Sequence, residues 1–202
     1  MAKMFIASKE NSGSSESAHE QLSSSAHPHI YSSAHLKIFL IGMPGAGKTY
    51  AAEILKKKLK TPAYDLDNLI EIMEEKTIAE LFTEGEDVFR KAEAKMLRLF
   101  KEKKSFILST GGGTPCFHDN MEWMNKQGQT IWIDEPVDVL IERLSAETEK
   151  RPLLKDKSDT ELAIYLENTL QKRTPFYQQA SRKVSSKELE GAGYKNLLVE
   201  YA

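Results

Sequence analysis

Two hydrophobic patterns alternate along residues 36–202. Short apolar runs predict buried β-strands over residues 36–41 and 105–109, and further strands are predicted over residues 63–66, 129–133 and 182–185. Stretches in which apolar residues recur every three or four positions predict helices over residues 49–59, 68–75, 78–82, 86–103, 137–144 and 158–172. Because apolar strands alternate with helices, the pattern predicts an α/β fold in which helices cover both faces of a parallel sheet.

Two of the predicted helices carry more specific expectations. The helix over 86–103 has one apolar stripe, whose members are expected to be buried. The stripe consists of Phe89, Ala92, Met96 and Leu99. The helix over 158–172 precedes Pro175, and a proline disfavours helical backbone at the residue before it. We therefore expect the helix to end before that proline.

The first 35 residues differ in composition from the rest of the chain. They hold ten serines and four of the five histidines, with almost no periodic apolar pattern. Such a polar, low-complexity stretch predicts a disordered N-terminal extension over residues 1–35 and a single domain over residues 36–202. The stretch lacks the long apolar segment of a secretory signal, and its histidines lack the fixed spacing of a metal site.

The charge balance and the cysteine content limit the kinds of molecule that the chain is expected to bind and the compartment in which it is expected to act. The chain has 28 Lys and Arg residues against 30 Asp and Glu residues, a formal net charge of -2. This balance argues against general binding to nucleic acid or membrane surfaces through positive charge. The single cysteine, Cys116, cannot form an intrachain disulfide, which favours a reducing compartment and a cytoplasmic location. We expect a monomer that acts on a small molecule, with no nucleic-acid or membrane partner.

A phosphate-binding motif follows the first predicted strand. Residues 42–49, Gly-Met-Pro-Gly-Ala-Gly-Lys-Thr, match the pattern G-x-x-x-x-G-K-[ST] without a mismatch. Glycines let backbone N–H groups turn toward phosphate oxygens, and the helix that follows adds positive charge at its N-terminus. Lys48 is expected to neutralise the β- and γ-phosphates, and the Thr49 hydroxyl to ligate Mg²⁺. The predicted contacts to the nucleotide are Gly45, Ala46, Gly47, Lys48 and Thr49.

Two carboxylates follow the second predicted strand. In an extended segment Asp65 and Asp67 lie on one face, at the strand end where parallel sheets place ligands. Asp67 is a candidate to accept or orient the proton of a substrate hydroxyl. An alternative role for Asp67 is the N-cap of the helix that starts near Asn68, and both roles stay open.

Five further motifs follow the P-loop along the chain. They are Asp65-Leu66-Asp67, Phe89-Arg90, Gly111-Gly112-Gly113, Arg151-Pro152-Leu153-Leu154 and Arg173-Thr174-Pro175-Phe176-Tyr177. Over residues 36–184 this set resembles that of the shikimate kinases. The resemblance implies a three-layer P-loop kinase fold of the nucleoside-monophosphate-kinase type. That fold has a five-stranded parallel sheet, a mobile lid and a small substrate-binding subdomain.

The resemblance also implies a reaction and its catalytic residues. The family transfers the γ-phosphate of ATP to the 3-hydroxyl of shikimate, in aromatic amino-acid biosynthesis, with ATP and Mg²⁺ as the cofactors. By resemblance, Asp65 helps to hold Mg²⁺ beside Thr49, and Asp67 bonds the substrate hydroxyls. The residues implied in catalysis are Lys48, Asp67 and Arg151.

By the same resemblance, shikimate is bound by Arg90, Arg173 and the backbone near Gly112, in addition to the aspartate. Guanidinium groups suit a planar carboxylate because they donate two parallel hydrogen bonds. Each of these residues also has a plainer interpretation. Arg90 has the helical spacing for a surface salt bridge with Glu86 or Glu93, and Arg173 is placed to bond the last carbonyls of a helix. Three glycines in a row also occur in flexible turns.

Residues 146–157 are polar, charged and interrupted by Pro152, which is typical of a mobile lid. Arg151 in this segment is expected to contact ATP and to stabilise the charge on the transferred phosphoryl group when the lid closes. The family often carries an arginine near the start of the lid that stacks on adenine. Leu144 occupies the matching position in this chain, and Arg143 is its neighbour.

Two other classes of function stay open. Another small-molecule kinase, such as a gluconate kinase or an adenylate kinase, would share the P-loop. An adenylate kinase would carry Asp-Gly-Phe-Pro-Arg after the third strand, where this chain has Ser-Thr-Gly-Gly-Gly. A non-catalytic nucleotide-binding module would be expected to lack the acceptor-side residues, yet Asp67, Arg90, Gly112 and Arg173 are all present.

Overall fold

The computed structural model describes residues 35–146 and 158–190 of the chain. Its strands are β1 (Lys37–Ile41), β2 (Ala63–Asp65), β3 (Phe106–Ser109), β4 (Gln129–Ile133) and β5 (Arg182–Val184). They form one parallel sheet in the spatial order β2-β3-β1-β4-β5. The five predicted strands and the predicted five-stranded parallel sheet are therefore confirmed.

Helices connect the strands within the described residues. The helices are α1 (Lys48–Leu59), α2 (Leu66–Glu74), α3 (Ile78–Glu84), α4 (Glu86–Leu99), α5 (Asn120–Gln127), α6 (Val137–Ser145), α7 (Asp159–Tyr177) and α8 (Ser186–Glu190). The connections β1-α1-β2 and β3-α5-β4 cross the sheet in opposite directions. Because such connections are right-handed, α1 and α5 lie on opposite faces, as the α/β prediction requires.

β1 lies at the centre of the sheet, between β3 and β4. Its residues from Ile38 to Ile41 are fully buried, because strands flank it and helices cover it. The ring of Phe39 meets the edge of Phe106 in β3, with 5.2 Å between centroids, and that of Trp123 in α5, with 6.0 Å. Such edge-to-face pairs fix how β1 packs against its neighbours.

The carboxyl ends of β1, β2 and β3 meet at one edge of the sheet. In the parallel register, Leu40 of β1 and Asp65 of β2 both lie opposite Ser109 of β3. The P-loop after β1, the acidic segment after β2 and the glycine run after β3 therefore converge. This convergence is where open parallel sheets bind ligands.

The predicted stripe of α4 is wrong at one member. Three of its residues are buried, but Leu99 is 56% exposed, while Leu97 and Phe100 are in the core. A helix turns once every 3.6 residues, so a stripe that passes through Phe89 reaches position 100 rather than 99 on the third turn. α4 ends at Leu99, and a short 3₁₀ turn brings Phe100 inward.

The helix α7 continues through Pro175 to Tyr177, contrary to the expectation that it ends earlier. The proline lies in the last turn, where the helix forgoes a single N–H bond. The Thr174 hydroxyl donates to the carbonyl of Leu170 at 2.7 Å, and the N–H of Gln178 donates to the carbonyl of Thr174 at 2.9 Å. These bonds hold the last turn, and they leave Tyr177 fully buried.

Two predictions concern segments outside the described residues. The N-terminal extension over residues 1–35 is described only at His35, and the lid over residues 146–157 only at Ala146. The extension, the lid and Arg151 therefore stay predictions. In the part of the chain that the structure describes, no helix has the length and apolar character needed to cross a membrane.

Candidate active site

The P-loop turns from β1 into α1 with a backbone that favours glycine. Gly42, Gly45 and Gly47 have φ angles of 143°, 82° and 85°. A side chain at Gly42 would also collide with the sheet, because its Cβ would lie 2.5 Å from the carbonyl oxygen of Ile133. Gly47 is the N-cap residue of α1 and has no side chain with which to cap it. The first N–H groups of α1 therefore form an anion-binding end.

Lys48 opens α1, and its side chain folds back over the loop. Its Nζ donates to the carbonyl oxygens of Gly42 at 3.0 Å and Met43 at 2.9 Å. These bonds hold the ammonium group against the curve of the P-loop. A P-loop lysine in that position neutralises the β- and γ-phosphates of a nucleotide.

A cavity of about 540 Å³ opens beside the P-loop, and Arg143 lies in its wall. The guanidinium donates to the carbonyl of Gly45 and to the hydroxyl of Ser186, both at 3.2 Å, and lies 3.6 Å from the buried carboxylate of Glu135. Leu144, the residue at the position where the family often has an arginine, is buried beneath Gly45. Among the described residues, Arg143 is therefore the arginine that lines the cavity beside the P-loop.

Thr49 and Asp65 meet at the end of β2. The Thr49 hydroxyl donates to Asp65 Oδ2 at 2.9 Å and lies 3.3 Å from the hydroxyl of Ser109. Hydroxyl and carboxylate oxygens are hard ligands of the kind that Mg²⁺ takes, commonly as one or two carboxylates together with phosphate oxygens. The donor set fits the predicted Mg²⁺ site.

Asp65, rather than Asp67, caps the helix α2. Its backbone is extended, and its Oδ1 accepts the N–H of Asp67 at 3.1 Å. Because Asp65 caps the helix, α2 begins at Leu66, two residues before the predicted start near Asn68. The alternative role of Asp67 as the N-cap is therefore wrong.

The carboxylate of Asp67 differs from an ordinary surface carboxylate in its hydrogen bonding and in its pKa. Within residues 35–146 and 158–190, its Oδ1 is a buried side-chain oxygen without a hydrogen-bond partner. Burial, followed by the charges of Asp65 and Glu93, raises the pKa of Asp67 from 3.8 to about 6, against the opposing effect of Lys48 and Arg90. A buried oxygen with no partner is costly, which is the arrangement expected where a substrate hydroxyl supplies the missing hydrogen bond.

Arg90 is buried, although it makes the ion pairs that a surface residue would make. Its Nε and Nη2 donate to Glu86 Oε1 at 3.2 and 3.1 Å, and its Nη1 donates to Glu93 Oε2 at 3.0 Å. The guanidinium also lies over the ring of Phe117, 4.2 Å from the centroid. With 6% of Arg90 and none of Glu93 exposed, the interpretation as a solvated surface salt bridge is wrong.

The glycine run after β3 has no room for side chains, because two arginines approach it. A Cβ on Gly112 would lie 2.7 Å from Nη1 of Arg173, and one on Gly113 would lie 2.8 Å from Cζ of Arg90. The two guanidinium groups therefore flank adjacent residues of the run. A merely flexible turn would not require this close approach, so the geometry favours a binding role.

Tyr177 also holds the glycine run in place. Its hydroxyl donates to the carbonyl of Gly112 at 2.6 Å, and its ring packs on Trp132 with 5.6 Å between centroids. Burial raises the pKa of Tyr177 well above its ordinary value, so the hydroxyl stays a neutral donor. The continuation of α7 through Pro175 thus positions both Arg173 and the glycine run.

A family model described as shikimate kinase matches residues 44–197. The chain belongs to the shikimate kinase family. A curated shikimate kinase of Bacteroides thetaiotaomicron is 46% identical over 156 residues, which cover 77% of this chain and 89% of that relative. The family membership, predicted from the motif set, is confirmed.

Solved structures of shikimate kinases also resemble this one. The crystal structure of shikimate kinase from Bacteroides thetaiotaomicron matches with a TM-score of 0.74 and 43% identity, covering 80% of this chain and 93% of that chain. Shikimate kinase from Acinetobacter baumannii in complex with shikimate matches with a TM-score of 0.71 and 29% identity, covering 82% and 90%. The predicted P-loop kinase fold is therefore confirmed.

Some polar residues of the shikimate kinase site went unrecognised in the sequence. Thr114 and Asn120 support the glycine run, and Glu135 and Ser186 hold Arg143. These residues lie in irregular segments or at the ends of helices. There the sequence has no repeating pattern of apolar positions that would distinguish a buried polar residue from a solvated one. Only Thr114 carries a signal, since it directly follows the glycine run.

Proposed function

We propose that this protein transfers the γ-phosphate of ATP to the 3-hydroxyl of shikimate, giving shikimate 3-phosphate and ADP. The observation that carries the proposal is the pair of guanidinium groups, Arg90 and Arg173, packed against adjacent glycines of one loop. They lie on the same sheet edge as the P-loop and the unpartnered Oδ1 of Asp67. Shikimate has one carboxylate and several hydroxyls, which this arrangement complements.

On the acceptor side, Arg90 and Arg173 bind the carboxylate and so fix the orientation of the ring. Asp67 Oδ1 accepts a hydrogen bond from a substrate hydroxyl, which orients the attacking oxygen toward the γ-phosphate. A loose transition state needs positioning more than early proton removal, so Asp67 can take the proton late in the transfer. The raised pKa of Asp67 suits a group that accepts a proton near neutral pH.

On the nucleotide side, the P-loop N–H groups and Lys48 hold the phosphates and offset their charge. Thr49 and Asp65 would hold Mg²⁺, which supplies further charge neutralisation on the β- and γ-phosphates when it is bound. Arg143 supports the loop by its bond to the carbonyl of Gly45. Arg151 is proposed to stabilise the charge on the transferred group and to complete the ATP site.

A coupled assay for ADP tests the function. With purified protein, Mg²⁺ and ATP, adding shikimate is expected to raise ADP formation by at least about 100-fold, since enzymes exceed the uncatalysed rate by far more. Gluconate and AMP, tested in place of shikimate, serve as controls for the other P-loop kinase classes. ADP formation that does not rise with shikimate, or that rises equally with gluconate, would contradict the proposal.

The domain boundary is a separate proposal, in which residues 36–202 carry the activity. A chain that lacks residues 1–35 is expected to keep kcat and both KM values within about twofold of the full chain, because polar low-complexity segments bury little apolar surface. Steady-state kinetics and a thermal melt of both chains measure this. A tenfold loss of kcat in the shorter chain would show that the extension takes part in the fold or the site. The monomeric state and the cytoplasmic location stay predictions.

A further inference from the structure

Thr114 lies directly after the glycine run and is fully buried. Its hydroxyl donates to Oε1 of Glu93 at 2.5 Å, and Glu93 is fully buried as well. A short hydrogen bond to a buried carboxylate is among the stronger neutral-to-charged bonds in proteins. The carboxylate of Glu93 therefore depends on the Thr114 hydroxyl for one of its two oxygens.

The other oxygen of Glu93 pairs with Arg90. Oε2 accepts the Nη1 of Arg90 at 3.0 Å. Oε1 lies 3.1 Å from the position that a Cβ on Gly111 would occupy, and Asp67 Oδ1 lies at the same distance from that position. Glu93 thus stands between an arginine that attracts it and an aspartate that repels it. The Thr114 hydroxyl is bonded to Oε1, the oxygen that lies beside the same Gly111 position as Asp67 Oδ1.

The backbone of Thr114 is held from its far side. The carbonyl of Thr114 accepts from Nδ2 of Asn120 at 3.0 Å, and Oδ1 of Asn120 accepts from Nη1 of Arg98 at 2.9 Å. Asn120 is fully buried, and the guanidinium of Arg98 lies over the ring of Trp123, 4.7 Å from the centroid. This chain of contacts anchors Thr114 to α4 and α5, so its hydroxyl has little freedom to turn away.

We propose that Thr114 is a positioning residue for the substrate carboxylate. Its hydroxyl keeps Glu93 in the rotamer that accepts a hydrogen bond from Arg90. The Arg90 guanidinium then keeps the orientation in which it can bind the substrate carboxylate through two hydrogen bonds. The inference rests on the proposed function, because it assigns Arg90 to the shikimate carboxylate. A residue that merely packed the loop would contribute to stability but not selectively to the affinity for the acceptor.

The test is Thr114→Val, which keeps the shape of the side chain and removes the hydroxyl. The KM and the calorimetric Kd for shikimate are expected to rise about tenfold or more, since a hydrogen bond to a charged group is worth roughly that factor. The KM for ATP is expected to stay within about twofold, because the hydrogen bonds of Thr114 to other described residues all lie on the acceptor side. Thr114→Ser restores the hydroxyl and is expected to restore the KM for shikimate. If Thr114→Val does not fold, Thr114→Ala replaces it with the same expectations.

Thr130→Val is the matched control. Thr130 is also fully buried, and its hydroxyl donates to Oδ1 of Asn125 at 2.6 Å, away from the carboxyl edge of the sheet. This variant is expected to lose stability without changing the KM for shikimate. An unchanged KM in Thr114→Val, or an equal rise in Thr114→Ser, would overturn the positioning role. Failure of the proposed function is distinct, since the unaltered protein would then form no ADP in response to shikimate.

Discussion

Replacing Asp67 by asparagine is expected to abolish most phosphoryl transfer and, in the metal-free protein, to increase the free energy of unfolding. The loss of transfer is expected to be at least about 100-fold in kcat, the size of effect seen for a positioned acid or base. Asparagine keeps the shape of the side chain but cannot take a proton from the substrate hydroxyl. ATP binding is expected to persist, because Lys48 and the P-loop are unchanged.

The gain in stability follows from the raised pKa of Asp67. A folded pKa of about 6 against an ordinary value of 3.8 means that the native state binds protons more tightly than the unfolded chain. Stability therefore falls as the pH rises through this window, and above it the full cost of burying the charge remains. Since a tenfold change in proton affinity corresponds to about 1.4 kcal/mol, the cost above pH 6 is roughly 3 kcal/mol. Asp67→Asn removes the charge and is expected to recover a large part of that amount.

The same pKa predicts a pH dependence of the unaltered enzyme. At saturating Mg²⁺ and ATP, the value of kcat/KM for shikimate reports on the enzyme–nucleotide complex, and it is expected to fall about tenfold for each pH unit below the pKa of Asp67 in that complex. Protonated Asp67 could no longer accept the hydrogen bond of the substrate hydroxyl at full strength. The residual activity of Asp67→Asn is expected to lack this acidic limb.

Urea unfolding at about pH 7.5 without metal measures the stability, and steady-state assays measure the transfer. Asp87→Asn is the matched control, since Asp87 is an exposed carboxylate on α4 that pairs with Lys91 at 2.8 Å. That variant is expected to keep its activity and to gain no stability. An Asp67→Asn protein that is less stable than the unaltered one, or that turns over normally, would contradict the role assigned to Asp67.

The elements that were predicted correctly are those whose signals are local. The strands β1, β3 and β4 are short, mostly apolar runs because they are buried on both faces, whereas the edge strands β2 and β5 are less buried. The P-loop is defined by eight consecutive residues. The helices α5 and α8 were not predicted. α5 has eight residues and starts after Asp119, whose backbone is left-handed, and α8 has five residues. Helices this short show no regular apolar stripe, and the start signal of α8, Ser185 with Glu188 three residues later, went unrecognised.

The parts of the site that the residues alone did not settle depend on contacts between distant segments. The spacing of residues along α4 indicates that Glu86 and Glu93 can pair with Arg90, but it does not indicate that Arg90 and Glu93 are buried. Their burial depends on the loop after β3, in which the ring of Phe117 lies against the Arg90 guanidinium. The N-cap of α2 is Asp65 rather than Asp67, because β2 ends at Asp65, one residue before the predicted end of the strand. The choice between a capping and a binding role for Asp67 was therefore settled by tertiary structure.

Replacing Arg90 by alanine is expected to cost the protein both shikimate affinity and stability, for different reasons. The KM for shikimate is expected to rise by about 100-fold or more, because a bidentate charged contact is lost. The stability is expected to fall by roughly 3–5 kcal/mol, since the fully buried carboxylate of Glu93 loses the cation that offsets its charge. Glu86 adds little to this loss because 56% of its side chain is exposed.

A double variant separates the two effects. Arg90→Ala with Glu93→Gln removes both charges, so it is expected to recover most of the lost stability but none of the affinity for shikimate. Urea unfolding and the KM for shikimate are measured for both single variants and the double variant, with nucleotide binding as a check on the P-loop. Lys91→Ala is the matched control on the same helix, because its i,i+4 ion pair with Asp87 is exposed, and it is expected to change neither quantity appreciably. If the double variant regained shikimate affinity together with stability, Arg90 would act only as a structural counter-ion for Glu93, and the carboxylate-binding role would be wrong.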